Sequence, residues 1–273
     1  MKILITGGYG FLAFHLADSL KHLDCEIVLA DIIPEKDFDN DFMILLKNKN
    51  ISYSRIDLTI KENLTNLGKG FTHVLHLAAL LGVENVINNP HKVLFTNILM
   101  LENIITFAIN LKTKPTFIFT STSEVYAGTL FEGKLNFPTK EESLLILPNL
   151  KSKRTSYMLS KIYGEAICFA SELKTIILRP HNLFGPRMGM KHVIPQLIKK
   201  IHKEPLNGEI GVYSPTHTRT FCFIKDAVRQ ILKIINKNIQ EKDIVFNLGT
   251  QQPEIKMEIL AKILLNISNR NDL

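Results

Sequence analysis

Short apolar runs alternate with longer stretches of helical periodicity along most of the chain. The apolar runs predict β-strands at residues 2–6, 26–30, 51–56, 72–77, 116–120, 175–178 and 244–248. The periodic stretches predict helices at residues 11–23, 61–67, 93–111, 157–173, 226–236 and 255–265. Strands that alternate with helices form right-handed βαβ units, so the pattern predicts an α/β fold built on a doubly wound parallel sheet.

The composition of the sequence changes after Pro180, where glycine and proline residues separate short segments. Such residues mark turns and loops. We therefore expect a core over residues 1–180 and a small C-terminal lobe over residues 181–273. Because a further strand is predicted at 244–248, residues 220–250 are expected to return to the core.

The composition is that of an ordinary globular chain, with 45% hydrophobic and 22% charged residues. No apolar run approaches the roughly 20 residues of a membrane helix, and glycines interrupt the N-terminal run too early for a signal peptide. Cys25, Cys168 and Cys222 lie far apart, which argues against a disulfide framework or a metal site and favours the cytoplasm. The net charge of +7 is spread along the chain, which argues against nucleic-acid binding and suits an anionic small substrate.

A glycine-rich segment, TGGYG at residues 6–10, joins the first predicted strand to the first predicted helix. Glycine lets the backbone turn tightly and approach a pyrophosphate, which binds the free N–H groups of the helix N-terminus. Asp31 ends the second strand, where a carboxylate can bind the ribose diol of NAD and repel the 2′-phosphate of NADP. The placement predicts a Rossmann-type fold whose core binds NAD.

Tyr157 and Lys161 are spaced to share one face of a predicted helix. A tyrosine with a lowered pKa can take a proton from a substrate hydroxyl, and we expect the Lys161 charge and a bound nicotinamide to lower this pKa. The segment STSEVY, residues 121–126, follows the fifth strand at the carboxyl edge of the sheet, where parallel sheets bind ligands. His76, which closes an apolar strand, is expected to be a core residue with a satisfied hydrogen bond.

These residues together resemble the extended short-chain dehydrogenase/reductase superfamily, in its NAD-dependent epimerase/dehydratase branch. The glycine loop is similar to the pattern TGxxGFxG, with Ala13 in the last position. STSEVYAG is similar to STxEVYG with Ala127 inserted, and RPHNLFGPR is similar to RxxNxYGPR with Phe184 in place of tyrosine.

The resemblance implies roles for individual residues. The implied catalytic residues are Thr122, Tyr157, Lys161 and Glu124. The implied cofactor-binding residues are Gly7, Gly10, Phe11, Leu12, Asp31, Asp57, Leu58, Leu77, Ala78, Ala79, Asn97 and Lys161. The implied substrate-binding residues are Ser123, Asn182 and Arg219.

The resemblance also implies the reaction, in which NAD oxidises a ring carbinol of a nucleotide-sugar, usually at C4. Dehydration is favoured because Glu124 supplies an acid that simple 4-epimerases of this branch generally lack. A nucleotide-sugar 4-epimerase, a UDP-glucuronate decarboxylase and a non-catalytic NAD-binding regulatory protein remain alternatives. A homodimer through the helices at 93–111 and 157–173 is expected, and residues 181–273 make a substrate lobe shorter than the family's usual one.

Overall fold

The computed structural model describes residues 1–237, 239 and 241–270. Its strands are β1 (Lys2–Thr6), β2 (Glu26–Asp31), β3 (Ile51–Arg55), β4 (His73–His76), β5 (Thr116–Thr120), β6 (Lys174–Pro180), β7 (Leu183–Phe184), β8 (Thr218–Arg219), β9 (Cys222–Phe223), β10 (Ile244–Leu248) and β11 (Ile255–Lys256). Its α-helices are α1 (Phe11–Leu20), α2 (Asn40–Leu46), α3 (Val83–Asn88), α4 (Pro90–Ile109), α5 (Ala127–Phe131), α6 (Thr155–Ala170), α7 (Val193–Lys203), α8 (Ile224–Asn236) and α9 (Met257–Ile267).

Seven strands form one parallel sheet in the order β10-β6-β5-β4-β1-β2-β3. The order reverses between β1 and β4, and ligands of open α/β sheets bind at such a switch point, outside the carboxyl ends of the strands. The predicted Rossmann-type doubly wound sheet is confirmed.

The sheet is covered on both faces, as its sequence pattern requires. Leu4 and Phe117 belong to a buried cluster that also contains Leu101 and Ile104 of α4. Ile3 and Ile5, which point to the opposite face because side chains alternate along a strand, are also fully buried. Strands buried on both faces appear as nearly continuous apolar runs, which is why the sequence identified them.

Several predicted elements need correction. The first helix ends at Leu20 and not at residue 23, and α6 ends at Ala170, where Ser171 turns extended and its hydroxyl donates to the Cys168 carbonyl. Residues 61–67 form a 3-10 helix rather than an α-helix. Residues 255–256 are a strand paired with β8, so the last helix begins only at Met257.

Four α-helices were not predicted: α2, α3, α5 and α7. The first three span only 5–7 residues each, too few to show helical periodicity. In α7, Pro195 suggested a loop, but it lies in the first helical turn, where the missing backbone N–H would have no partner within the helix.

Helix α4 is long and apolar enough to cross a membrane by length and composition alone. It has 20 residues, and an 18-residue window within it has a mean hydropathy of 1.5. It contains no long uninterrupted apolar run, which is why the sequence did not reveal it. Leu101, Ile104 and Ala108 pack in the core cluster, so the apolar character of one face is explained by contact with the sheet.

The chain divides into two compact units. The first comprises Met1–Pro180 and Val228–Leu248 and contains the parallel sheet. The second comprises His181–Ala227 and Gly249–Leu273. Within its described part, β7 pairs with β9 and β8 with β11, and a small core is formed by Leu197 of α7 with Met257 and Leu260 of α9.

Candidate active site

The glycine loop after β1 lies against the segment that follows β4. Gly7 has φ +68, and a Cβ placed on it would lie 2.8 Å from the backbone nitrogen of Ala78. A Cβ on Gly10 would lie 2.9 Å from the Gly7 carbonyl oxygen. A side chain on Gly7 would push the loop away from the segment after β4, and one on Gly10 would clash within the loop itself. Glycine is therefore required here to close the loop at the switch point of the sheet.

The N-terminus of α1 points from this loop with its first-turn N–H groups available. Gly10 is the N-cap, no side chain of the described residues caps it, and the first turn contains no acidic residue. Phe11 and Leu12, the first two helical residues, are half-buried. An uncapped helix start next to a tight glycine loop is a binding site for a phosphate group.

Asp31 at the end of β2 turns its carboxylate towards the glycine loop. Its Oδ2 accepts a hydrogen bond of 3.0 Å from the Tyr9 backbone N–H, and its Oδ1 accepts one of 2.7 Å from the Ile32 N–H. The carboxylate is therefore fixed beside the loop that would hold a pyrophosphate. The glycine loop, the uncapped start of α1 and the fixed carboxylate of Asp31 together fit a dinucleotide.

The other residues with an implied cofactor role lie at the same edge of the sheet. Leu77, Ala78 and Ala79 follow β4 and are half-buried. Asp57 follows β3, and its Oδ1 accepts hydrogen bonds from the N–H and the hydroxyl of Thr59. Leu58 beside it is buried. Asp57 thus shapes the turn after β3.

Asn97 on α4 bonds to the protein with its whole amide group. Its Oδ1 accepts from the Leu80 N–H at 2.7 Å, and its Nδ2 donates to the Leu80 carbonyl and to Ser160 Oγ. Ser160 lies directly before Lys161 on α6. Asn97 therefore ties the segment after β4 to the helix that bears the Tyr-Lys pair.

The segment after β5 forms a short 3-10 turn at Ser123–Tyr126 with Thr122 as its N-cap. The Thr122 hydroxyl is buried and accepts a hydrogen bond of 3.2 Å from the Glu124 N–H. Ser123 is half-buried and the Glu124 side chain is exposed. The turn thus presents a buried hydroxyl and an exposed carboxylate two residues apart.

Lys161 is a buried cation on the same helix as Tyr157. It is 4% exposed, and its Nζ donates to the Thr120 carbonyl oxygen at 2.8 Å. Burial lowers the pKa of Lys161 to about 8. Its Nζ lies 5.8 Å from the centre of the Tyr157 ring, so the two predicted catalytic groups are neighbours.

The pKa of Tyr157 is raised in the protein alone. Burial of the phenol raises it first and the negative charge of Glu124 next, while a hydrogen bond with Thr122 acts in the opposite direction. The lowering expected from Lys161 together with a bound nicotinamide is therefore not seen for the protein's own groups. The hydrogen bond does bring Thr122 and Tyr157 together, as their implied roles require.

His76 is buried and hydrogen-bonded, as expected of a core residue. Its Nδ1 lies 2.8 Å from the Thr6 hydroxyl, and its ring stacks on Phe119 at 6.1 Å. Burial and the charge of Lys161 lower the pKa of His76 to about 3. Lys161 Nζ lies 4.9 Å from the centre of the same Phe119 ring. A neutral imidazole therefore lies behind the buried ammonium group.

A buried ion pair beside the Thr122 turn was missed by sequence reasoning. Arg179 at the end of β6 makes two hydrogen bonds, of 2.9 and 2.7 Å, to the carboxylate of Glu165 on α6. The side chains are 4% and 3% exposed. Ser121 donates to Glu165 at 2.5 Å, and Arg179 donates to the Tyr126 hydroxyl at 2.5 Å. Glu165 lies one turn beyond Lys161, and this spacing was the available signal.

The remaining two predicted substrate residues belong to the second unit. The Nδ2 of Asn182 donates to the Thr220 carbonyl at 3.0 Å, and Asn182 has φ +40. Arg219 on β8 is exposed, and its charge contributes, after burial, to lowering the pKa of His181. Asn182 therefore helps to hold the segment that precedes β7, and Arg219 presents its guanidinium to solvent within this unit.

Comparison with known proteins identifies relatives along the whole chain. A profile of the NAD-dependent epimerase/dehydratase family matches residues 3–249. The chain is 31% identical over 281 residues to a dTDP-D-glucose 4,6-dehydratase from Dictyostelium discoideum, and this match covers 98% of the chain and 62% of that relative. It is 28% identical over 271 residues to a UDP-N-acetyl-alpha-D-glucosaminuronate decarboxylase from Bacillus cytotoxicus, with 96% and 79% covered. The chain thus spans less than two thirds of the Dictyostelium protein.

A solved structure shows the same architecture. The UDP-glucuronic acid 4-epimerase from Bacillus cereus, in complex with UDP-glucuronic acid and NAD, superposes with a TM-score of 0.82 at 25% sequence identity. The superposition covers 98% of this chain and 83% of that one. The relatives named here carry out dehydration, decarboxylation and epimerisation, so they agree on the sugar-nucleotide class and differ in the reaction that follows.

Proposed function

Because the chain belongs to the NAD-dependent epimerase/dehydratase family, we propose that it is an NAD-dependent enzyme that oxidises the sugar ring of a nucleotide-sugar, with dehydratase-like chemistry. The observation that carries the proposal is the contact between Thr122 and Tyr157 beside the buried Lys161, at the sheet edge that also holds the glycine loop. Because Thr122, Tyr157 and Lys161 are all present in this arrangement, an enzyme is favoured over a non-catalytic regulatory protein.

NAD is the proposed cofactor, and four features of the chain would hold it. The glycine loop and the start of α1 would bind the pyrophosphate, Asp31 would bind the ribose diol, and residues 77–79 would lie along the dinucleotide. Bound NAD would supply the acceptor for the hydride that leaves the sugar. The Asp31 carboxylate would repel a 2′-phosphate, so we expect NAD to bind more tightly than NADP.

Side chains of the protein would carry out the proton transfer. Tyr157 would take the proton from the sugar hydroxyl, usually the one at C4, and Thr122 would share the hydrogen bond to that oxygen. Lys161 would place positive charge near the phenol, with its Nζ 5.8 Å from the centre of the Tyr157 ring, where a cation favours the phenolate. Asn182 and Arg219 are proposed to bind the substrate, for which the guanidinium fork of Arg219 suits a diphosphate.

Glu124 supports dehydration as the later step. Its carboxylate is exposed and its charge acts on Tyr157, so it lies near the reacting hydroxyl with freedom to accept or donate a proton. A carboxyl group there can serve as the acid or base at C5 once a C4 ketone has formed. A 4-epimerase needs no such group, and a decarboxylase is the second candidate because one of the relatives named above is of that class.

Product analysis by mass spectrometry tests the proposal. Purified protein is incubated with UDP-glucose, dTDP-glucose, GDP-mannose and UDP-glucuronate in the presence of NAD, with Tyr157→Phe as the matched inactive control. A dehydratase product lacks one water, a decarboxylase product lacks carbon dioxide, and an epimerase product keeps its mass but changes its retention time. Conversion that survives in Tyr157→Phe would show that the assigned base is wrong.

We also propose a cytoplasmic homodimer with two-fold symmetry through α4 and α6. Phe95 on α4 and Tyr163 on α6 are 58% and 44% exposed, large side chains that a partner helix pair would cover. Light scattering at micromolar concentration should give twice the mass of the chain. Replacing Phe95 and Tyr163 with glutamate should yield a monomer, and a wild-type monomer would rule out the interface.

A further inference from the structure

The segment that follows Asp31 is held in place by the side chain of Tyr9, which occupies one of the open positions in the pattern of the glycine loop. We call residues 31–39 the collar; it runs from the end of β2 to the N-cap of α2. We propose that Tyr9 is a positioning residue that fixes the collar, and through it the Asp31 carboxylate, for a ribose diol. This inference rests on the proposed NAD cofactor.

Polar contacts of Tyr9 reach both ends of the collar. At one end, its backbone N–H donates to Asp31 Oδ2 at 3.0 Å. At the other, its hydroxyl donates to the Asp37 carbonyl at 3.2 Å and lies 3.0 Å from Asp39 Oδ2. The Asp39 N–H donates back to the Tyr9 hydroxyl at 3.2 Å. Tyr9 of the glycine loop thus connects the two ends of the collar.

Aromatic packing supports the same closure. The Tyr9 ring stacks on Phe38 of the collar at 5.5 Å and meets Phe42 of α2 edge-on at 4.9 Å. Tyr53 of β3 packs edge-on against Phe38 at 4.8 Å. Its hydroxyl donates to the Ile33 carbonyl at 2.5 Å. The collar is therefore anchored by rings from the glycine loop, α2 and β3.

The collar in turn limits where the Asp31 carboxylate can go. Oδ1 accepts hydrogen bonds from the N–H groups of Ile32 and Ile33, at 2.7 and 3.4 Å, while Oδ2 accepts from Tyr9. If the collar moved, two of these three donors would move with it. A carboxylate ordered before binding loses less freedom when it meets a diol, so its order contributes to affinity.

The test combines hydrogen exchange with cofactor binding. In Tyr9→Ala, amides of residues 32–39 should exchange faster while those of β4 and β5 remain protected. NADH binding is followed by NADH fluorescence, which is clean because the chain has no tryptophan. The dissociation constant for NADH should rise about tenfold, with a smaller rise in Tyr9→Phe, which keeps the ring. NADPH binding should weaken less, because it gains little from an ordered Asp31.

A double-mutant cycle separates positioning from a general structural effect. In the Asp31→Ala background, Tyr9→Ala should cause little further loss of NADH affinity, because its effect acts through Asp31. Additive losses, or unchanged amide exchange in the collar, would overturn the inference. Tyr213→Ala is the control, since that tyrosine is 87% exposed in the second unit. If the wild-type protein itself binds no NADH, the proposed function fails, and the ribose role of Tyr9 fails with it.

Discussion

The buried pair of Arg179 and Glu165 allows a quantitative prediction. Replacing Arg179 with methionine removes the guanidinium that makes two hydrogen bonds to Glu165. The Glu165 carboxylate, 3% exposed, then keeps only the hydroxyl of Ser121 among these partners. Tyr126 loses a donor as well, although its own hydroxyl still donates to Asn247 Oδ1 at 2.8 Å.

The magnitude follows from the cost of an unpaired buried charge. Breaking a buried pair from one side costs about 3–5 kcal/mol of unfolding free energy, which for a unit of this size lowers the melting temperature by roughly 6–20 °C. Replacing both partners, as in Arg179→Met with Glu165→Leu, removes the two charges together and should recover most of the loss. The free energy of unfolding of the double variant should stay about 1–2 kcal/mol below that of the wild type, because Ser121 and Tyr126 lose hydrogen-bond partners.

Thermal and urea unfolding followed by circular dichroism measures both variants. Lys114→Met, which breaks an exposed pair with Glu172, is the control and should change stability little. The rate of NADH formation is a second measurement. The double variant should form NADH more slowly than the wild type, because Ser121 loses its bond to Glu165 and directly precedes Thr122. A double variant as unstable as Arg179→Met would refute the reasoning, since it would mean that the pair itself stabilises the fold beyond its desolvation cost.

Three further predictions concern the catalytic edge. Glu124→Gln should move the acid limb of the pH profile of NADH formation to lower pH, because loss of its charge lowers the pKa of Tyr157; a limb that stays in place would contradict this. Lys161 has a pKa of about 8 in the fold, below its unfolded value of 10.5. The unfolded chain therefore binds more protons between those values, and wild-type stability should rise by about 2 kcal/mol from pH 7 to 9.5 relative to Lys161→Met in paired urea titrations. Gly7→Ala should cost about 1–3 kcal/mol and abolish NADH binding, because the new Cβ meets the Ala78 backbone at positive φ; retained NADH affinity would count against the assigned loop geometry.

The predicted and observed strands agree because short sequence patterns indicate where the strands of the sheet lie. β1, β5 and β10 have the predicted bounds, since each is an apolar run between polar or turn residues. The glycine loop was predictable for the same reason, because a glycine-rich turn between the first strand and the first helix is a local signal. Signals of this kind act within a few residues and can be read from the sequence.

Long-range pairings could not be predicted in the same way. Arg179 and Glu165 stand on different elements, and nothing in the sequence says that their side chains meet with less than a twentieth of their surface exposed. The collar is a similar case, because Tyr9 occupies a position where the family pattern accepts any residue. Both depend on how β6 and β2 are placed next to their neighbours, which is a property of the folded sheet.

The raised pKa of Tyr157 bears on how the proposed site would work. From the sequence, the Lys161 charge and a bound nicotinamide together were expected to activate the phenol, but burial and the Glu124 charge raise the pKa of Tyr157 in the protein alone. Burial also lowers the pKa of Lys161, so that ammonium is itself poorly stabilised. Within the protein alone, the phenol therefore stays protonated at neutral pH. On the proposed function, removal of a proton from a sugar hydroxyl would need further positive charge, which bound oxidised nicotinamide would supply and its reduced form would not. The electrostatics that keep Tyr157 protonated in the protein alone would then keep the transferred proton on the phenol once that charge is lost, available for return to the sugar oxygen.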